Sequence, residues 1–151
     1  MRVDRSEKVL SIPVGTSSEV VERYAVYACP ADRPRYANTQ YVAFRRTGGE
    51  MRTLYRVEEI LEFNHHDGEQ LLRLNRRYRE RVLDFLLDSI PLWEGGLDPG
   101  SHRVWVLSQT DQIPLEHHPR LKPNLQAWCY LDLADLTDPT KLFVKVPPRT
   151  P

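Results

Sequence analysis

Long hydrophobic runs are missing from this chain. No segment approaches the roughly 20 consecutive apolar residues that cross a bilayer, so no membrane partner is expected. The opening MRVDRSEKVLSIPV carries charges and no sustained apolar centre, so no secretory signal is expected either. Cysteine is scarce: Cys29 and Cys129 stand far apart in apolar, strand-like surroundings, which suits two buried free thiols in a cytoplasmic protein. Glycine is sparse too. Gly48-Gly49 and Gly95-Gly96 lack the strand–GxGxxG–helix setting of a nucleotide-binding loop. No serine or cysteine has a neighbouring base, and no HxH, HExxH or CxxC spacing occurs. Asp111 and Glu116 are followed by no lysine placed as a PD-(D/E)xK nuclease needs. The sequence therefore leans away from an enzyme and calls for no cofactor. Net charge is lacking as well, yet its distribution is uneven: residues 1–81 hold 15 Lys+Arg against 12 Asp+Glu, and residues 82–151 hold 6 against 9. A neutral chain with that asymmetry can still carry a basic face.

What is present centres on Gln40–Glu59, QYVAFRRTGGEMRTLYRVEE. Two runs rich in aromatic and β-branched residues flank Thr47-Gly48-Gly49-Glu50, and Gly-Gly supplies the positive φ angles of a tight antiparallel turn. Along the first arm Tyr41, Ala43 and Arg45 share one face, with Val42, Phe44 and Arg46 on the other. Apolar residues lie near the base and arginines near the tip. Six arginines fall between Arg33 and Arg56, opposed by Glu50 alone.

Elsewhere, Val9–Val14 reads as a strand that Pro13 confines to an edge or ends at Ile12. Ser17 or Ser18 can cap a helical turn over Glu19–Glu22. Tyr24–Cys29 reads as a strand apolar on both faces, and Pro30–Asn38 as a basic loop. The hairpin continues through Phe63. Glu69–Ile90 is the one long amphipathic helix, with Leu71, Leu74, Tyr78, Val82, Phe85, Leu86 and Ser89 on its 3.6-residue stripe. Further strands are expected at Arg103–Gln109, Ala127–Leu131 and Lys141–Val146, the last closing the sheet, with a short edge strand at Ile113–Leu115. Glu116–Pro123 reads as a proline-broken loop, and Asp132–Leu136 as a helical turn. The expected whole is one α+β domain over 1–151, with loose ends at 1–8 and 147–151 and a bent or closed, mainly antiparallel sheet.

The order of strand, YAVYAC, basic loop and YVAFRRTGGEMRTLYRVEEI resembles the opening of PUA-like barrel domains, which include the EVE and ASCH groups. Tyr41, Phe44, Tyr55, Val57 and Ile60 fill that superfamily's hairpin pattern over about residues 9–63. The Gly-x-Lys-x-x-Glu-x-Arg motif of the ASCH group is absent, and a helix at 69–90 would be an insertion. The resemblance implies a module that binds RNA, or a flipped and often modified base, with Tyr36, Tyr41 and Tyr55 as pocket walls.

The residues themselves point the same way. Arg33, Arg35, Tyr36, Tyr41, Arg45, Arg46, Arg52 and Tyr55 combine guanidinium forks for phosphate with rings for bases. Arg73, Arg76 and Arg77, with Arg81, add a cationic helix face, where Arg77 and Arg81 repel unless a counter-charge intervenes. Each tyrosine also suits a core, and the helix arginines suit an ordinary solvated face. The expected partner is RNA, DNA or a nucleotide. One alternative is a small nuclease or cyclic-nucleotide phosphodiesterase using His65, His66 and Asp67 with His117 and His118. Another is an interaction subunit that forms a homo-oligomer. Trp93, Trp105 and Trp128 read as core or pocket lining.

Overall fold

The computed structural model describes residues 7–30, 39–64, 76–89, 101–125 and 127–146. Its elements are β1 (Lys8–Pro13), α1 (Ser18–Tyr24), β2 (Val26–Pro30), β3 (Tyr41–Arg45), β4 (Thr53–Asn64), α2 (Arg76–Ser89), β5 (Ser101–Pro114), β6 (Arg120–Lys122), β7 (Cys129–Asp132), α3 (Leu133–Thr137) and β8 (Phe143–Lys145). Six strands form a mostly antiparallel sheet in the order β2-β5-β4-β3-β1-β7, and β6 and β8 form a separate pair. This is the expected α+β class. The sheet is open, however, because β8 does not rejoin it.

Two compact units divide the chain: Met1–Ser18, Ala37–Arg56 and Thr110–Pro151 make the first, Glu19–Tyr36 and Val57–Gln109 the second. In the first, β1 lies between two partners. It runs parallel to β3, from Val9 opposite Tyr41 to Pro13 opposite Arg45, and antiparallel to β7, from Lys8 opposite Asp132 to Ser11 opposite Cys129. Pro13 therefore does not mark an edge strand. It sits last, where its missing N–H costs no ladder bond, and Val14 N–H donates to Arg45 O at 3.0 Å instead. Every residue of β3 is buried. The face carrying Tyr41 and Ala43 joins Val9, Met51, Leu54, Leu115, Leu131 and Leu136 in one core. Each three-residue strand of the small ribbon contributes one residue to that core, Leu121 from β6 and Val144 from β8. β8 pairs with β6, in parallel, rather than closing the larger sheet.

The second unit holds the strand expected at Tyr24–Cys29, and here the boundary moves. The helical run extends through Tyr24, and Ala25 takes φ 52 before β2 begins at Val26. A left-handed alanine is sterically costly, and Arg81 holds the bend. Its Nη1 donates to Tyr24 O, Ala25 O and Leu107 O at 3.0, 3.1 and 2.9 Å. On α2 the buried residues are Tyr78, Val82, Phe85, Leu86 and Ser89, the stripe expected from the sequence. Leu71 and Leu74 lie outside the described residues, as does Trp93. β2 pairs with β5 from Val26 opposite Val106 to Pro30 opposite His102, and Tyr27 meets Trp105 edge-on at 5.8 Å. β5 runs unbroken for 14 residues, absorbing the short strand expected at Ile113 because Pro114 is its final residue.

Candidate nucleic-acid interface

The turn of the hairpin builds the site. Gly48 and Gly49 have φ 91 and 89, as the Gly-Gly reading requires. Arg46 N–H donates to Glu50 O and Gly49 N–H to Arg46 O, both at 2.9 Å, which closes the loop. Beyond it the outgoing chain leaves β3 and pairs with residues near β6: Met51 N–H donates to Pro119 O at 2.9 Å, Leu121 N–H to Gly49 O at 3.3 Å, and Glu50 bridges Arg120. The approach is close. A Cβ at Gly48 would lie 3.2 Å from Arg120 Nη1, and one at Gly49 would lie 3.0 Å from Asn124 Oδ1. Turn, β6 and β8 therefore form one continuous surface.

On that surface Arg52, Arg120, Lys122 and Lys145 are exposed, beside uncharged Thr47, Asn124, Leu142 and Phe143, and Arg46 is half-buried. β6 and β8 both alternate exposed, buried, exposed, so Arg120 and Lys122 stand beside Phe143 and Lys145 above the buried Leu121 and Val144. Segments 46–52, 118–124 and 142–146 contain Arg46, Arg52, Arg120, Lys122 and Lys145 against a single carboxylate, Glu50. That carboxylate is occupied: Oε2 meets Arg52 Nη2 at 3.4 Å and Oε1 meets His118 Nδ1 at 2.8 Å. Burial alone would raise the Glu50 carboxyl. The Arg52 hydrogen bond and the charges of Arg52, His118 and Arg120 outweigh it and hold the group below its ordinary value of 4.5. A depressed folded-state value means that Glu50 contributes stability at higher pH and loses it as pH falls through the folded value. Thermal unfolding followed from pH 6 downwards is therefore expected to show a shallower acid loss in Glu50→Gln than in the native chain.

Not every arginine read from the hairpin stands on this face. Arg45, expected at an exposed tip, is 1% exposed. Its place on the Tyr41–Ala43 face carries it into the core, where Nη1 donates to Cys129 Sγ at 3.3 Å and Nη2 donates to Ala127 O. Nε finds no partner and no carboxylate lies against it among the described residues. Burial lowers the guanidinium's pKa, and it raises that of the Cys129 thiol more than Arg45 lowers it. Tyr41 and Tyr55 are also core, at 3% and 5% exposed, with Tyr55 tilted against Phe44 at 5.8 Å. Both rings are thus packed inside rather than displayed.

The remaining candidates, His118 apart, fall outside segments 46–52, 118–124 and 142–146. Arg33, Arg35, Tyr36 and Arg73 lie outside the described residues, as do His65, His66 and Asp67. Arg76 and Arg77 are exposed on α2, in the second unit, whereas the hairpin arginines belong to the first. Arg77 and Arg81 flank the Tyr78 ring at 5.7 and 5.6 Å, and Glu58 supplies the counter-charge their spacing demanded. His118 is exposed and bound to Glu50, while His117 is half-buried with no hydrogen bond to Nε2 among the described residues. No group of three or more His, Cys, Asp or Glu side chains is placed to hold a metal among the described residues. No described helix is long and apolar enough to cross a membrane. Both cysteines are buried and neither is in a disulfide, as expected.

No family model and no curated protein matches the chain. Two solved structures are similar to it. A mutant ZmASCH protein from Zymomonas mobilis aligns at TM-score 0.46 and 14% identity, covering 85% of this chain and 91% of that one. The ASCH protein from the same organism aligns at TM-score 0.39 and 14% identity, with 75% of each chain covered.

Arg120, Lys122, Phe143 and Lys145 are candidate site residues that sequence reasoning missed. Their signal was present as a two-residue alternation, R-L-K and F-V-K, but three residues are too few for periodicity to speak, and Pro119 and Pro123 argue for a loop.

Proposed function

We propose that this chain is a nucleic-acid-binding module whose phosphate-contacting surface is the hairpin turn together with the β6–β8 ribbon. The observation that carries the reading is the set of cations Arg46, Arg52, Arg120, Lys122 and Lys145 on adjoining segments, where the one carboxylate, Glu50, is held by Arg52 and His118 and so offsets only part of the charge. Arginine forks and lysine ammonium groups neutralise phosphates and release their counterions, so affinity falls as salt rises. The tyrosine pocket expected from the sequence does not contribute here, since Tyr41 and Tyr55 are in the core. A base, if it is held, meets the ribbon instead. The PUA-like pattern of residues 9–63 implies the same class of ligand.

The test is a salt series with a labelled oligonucleotide. Arg120→Glu with Lys145→Glu is expected to weaken binding about tenfold or more, and to flatten the slope of log affinity against log salt by roughly 0.7–0.9 for each phosphate no longer neutralised. Both side chains are exposed, so the fold is expected to survive. Unchanged affinity and slope would remove the surface from consideration.

A further inference from the structure

The same surface carries an aromatic ring that phosphate binding does not need. Phe143 is 58% exposed, although a phenylalanine of a folded domain is ordinarily buried. It stands opposite Arg120 across the ribbon, and Lys122 Nζ lies 5.4 Å from its ring centroid. Lys145 lies two residues along the same strand, on the same outward face. Strand spacing fixes the dimensions of this group: about 4.8 Å between strands and about 6.7 Å between same-face neighbours along each. One ring is thus framed by three cations within a patch the size of a single nucleotide, and segments 118–124 and 142–146 hold no carboxylate to compete.

We infer that Phe143 is a stacking platform for an unpaired base, and that the module therefore prefers single-stranded nucleic acid to duplex. The inference rests on the nucleic-acid reading above and names its ligand class. A π face stacks on any base whatever its sequence, while Arg120, Lys122 and Lys145 take the flanking phosphates. In a duplex the bases are already stacked on one another and offer the ring nothing, so only the phosphate contribution remains. The cations alone would serve an anionic lipid surface as well as a phosphodiester chain. Membrane-seeking faces set several large apolar residues into the interface; here Phe143 is the one ring on the ribbon's outward face, with Leu142 exposed just before the strand, and the vesicle probe below separates the two ligands.

The experiment uses the full chain with three probes: a labelled single-stranded oligonucleotide, the duplex of the same sequence, and vesicles containing anionic lipid. The native protein is expected to bind the single strand more tightly than the duplex. Phe143→Ala is expected to lose about tenfold on the single strand, little on the duplex, and none of the salt dependence. Phe143→Trp is expected to keep the affinity, and its indole fluorescence to be quenched by the single strand. Circular dichroism checks that each variant is folded. Equal single-strand binding by Phe143→Ala and the native chain would overturn the inference while leaving the charge-reversal result, and so the broader reading, intact. Native affinity in both Phe143→Ala and the charge-reversed double variant would overturn both. Tighter binding to vesicles than to either oligonucleotide would overturn the choice of ligand.

Discussion

Arg45→Glu is expected to destabilise the protein by about 3–5 kcal/mol, the largest loss predicted for any single charge change in the chain. The native guanidinium already sits 1% exposed, with Cys129 Sγ and Ala127 O as its partners. Reversal puts a carboxylate in the same place, facing a thiol whose own deprotonation burial disfavours and a carbonyl that cannot donate to it. Against a usual margin of about 5–15 kcal/mol, that loss is a large part of the total. Arg45→Met behaves differently. It keeps the length, removes the charge and leaves mainly Ala127 O to be re-solvated at an exposed residue, so it is expected to stay within about 1.5 kcal/mol of the native chain. Urea unfolding midpoints for both variants decide the matter. A fully stable Arg45→Glu would mean that this guanidinium faces water. The contrast also matters for binding studies, because a charge reversal at Arg45 loses ligand by unfolding and says nothing about the surface.

Arg81→Met is expected to cost about 2–4 kcal/mol and to loosen the start of β2 before the rest of the second unit. A single nitrogen ties Tyr24 O, Ala25 O and Leu107 O together around the left-handed Ala25. Removing it leaves buried acceptors short of donors, at about 1–3 kcal/mol for the group most affected, and it releases the strained residue. Leu107 N–H still donates to Ala25 O at 2.9 Å, so the ladder itself persists. Amide exchange shows the local effect: protection at Val26–Cys29 is expected to fall more than at Val82–Leu86. Uniform loss across both segments would show that Arg81 has no local role.

How much of this was legible in the sequence depends on the length of the pattern involved. The α2 stripe and the Gly48-Gly49 turn were readable because a run of periodic residues and a pair of glycines each speak for themselves. The run YAVYAC misled by two residues, since Tyr24 and Ala25 have strand-like chemistry but belong to a helix end whose turn is stabilised from Arg81, far along the chain. Arg45 misled through its charge. Alternation put it on the Tyr41 face correctly, but only its contacts with Ala127 and Cys129, more than eighty residues along the chain, reveal that this face is covered at that level. The ribbon was illegible for a third reason. Residues 82–151 are net acidic, and an average over them hides the three cations and one ring that β6 and β8 bring side by side.

The position of β1 has a consequence for how the chain acquires its structure. Val9 and Leu10 are fully buried only once Leu131 and Tyr130 have arrived, more than a hundred residues later. Pairings of such separation form slowly, because the loop must close before any of them is rewarded. During synthesis the first strand therefore waits with one edge open until Cys129–Asp132 have left the ribosome, and a truncation before Cys129 would leave that edge permanently available to other chains.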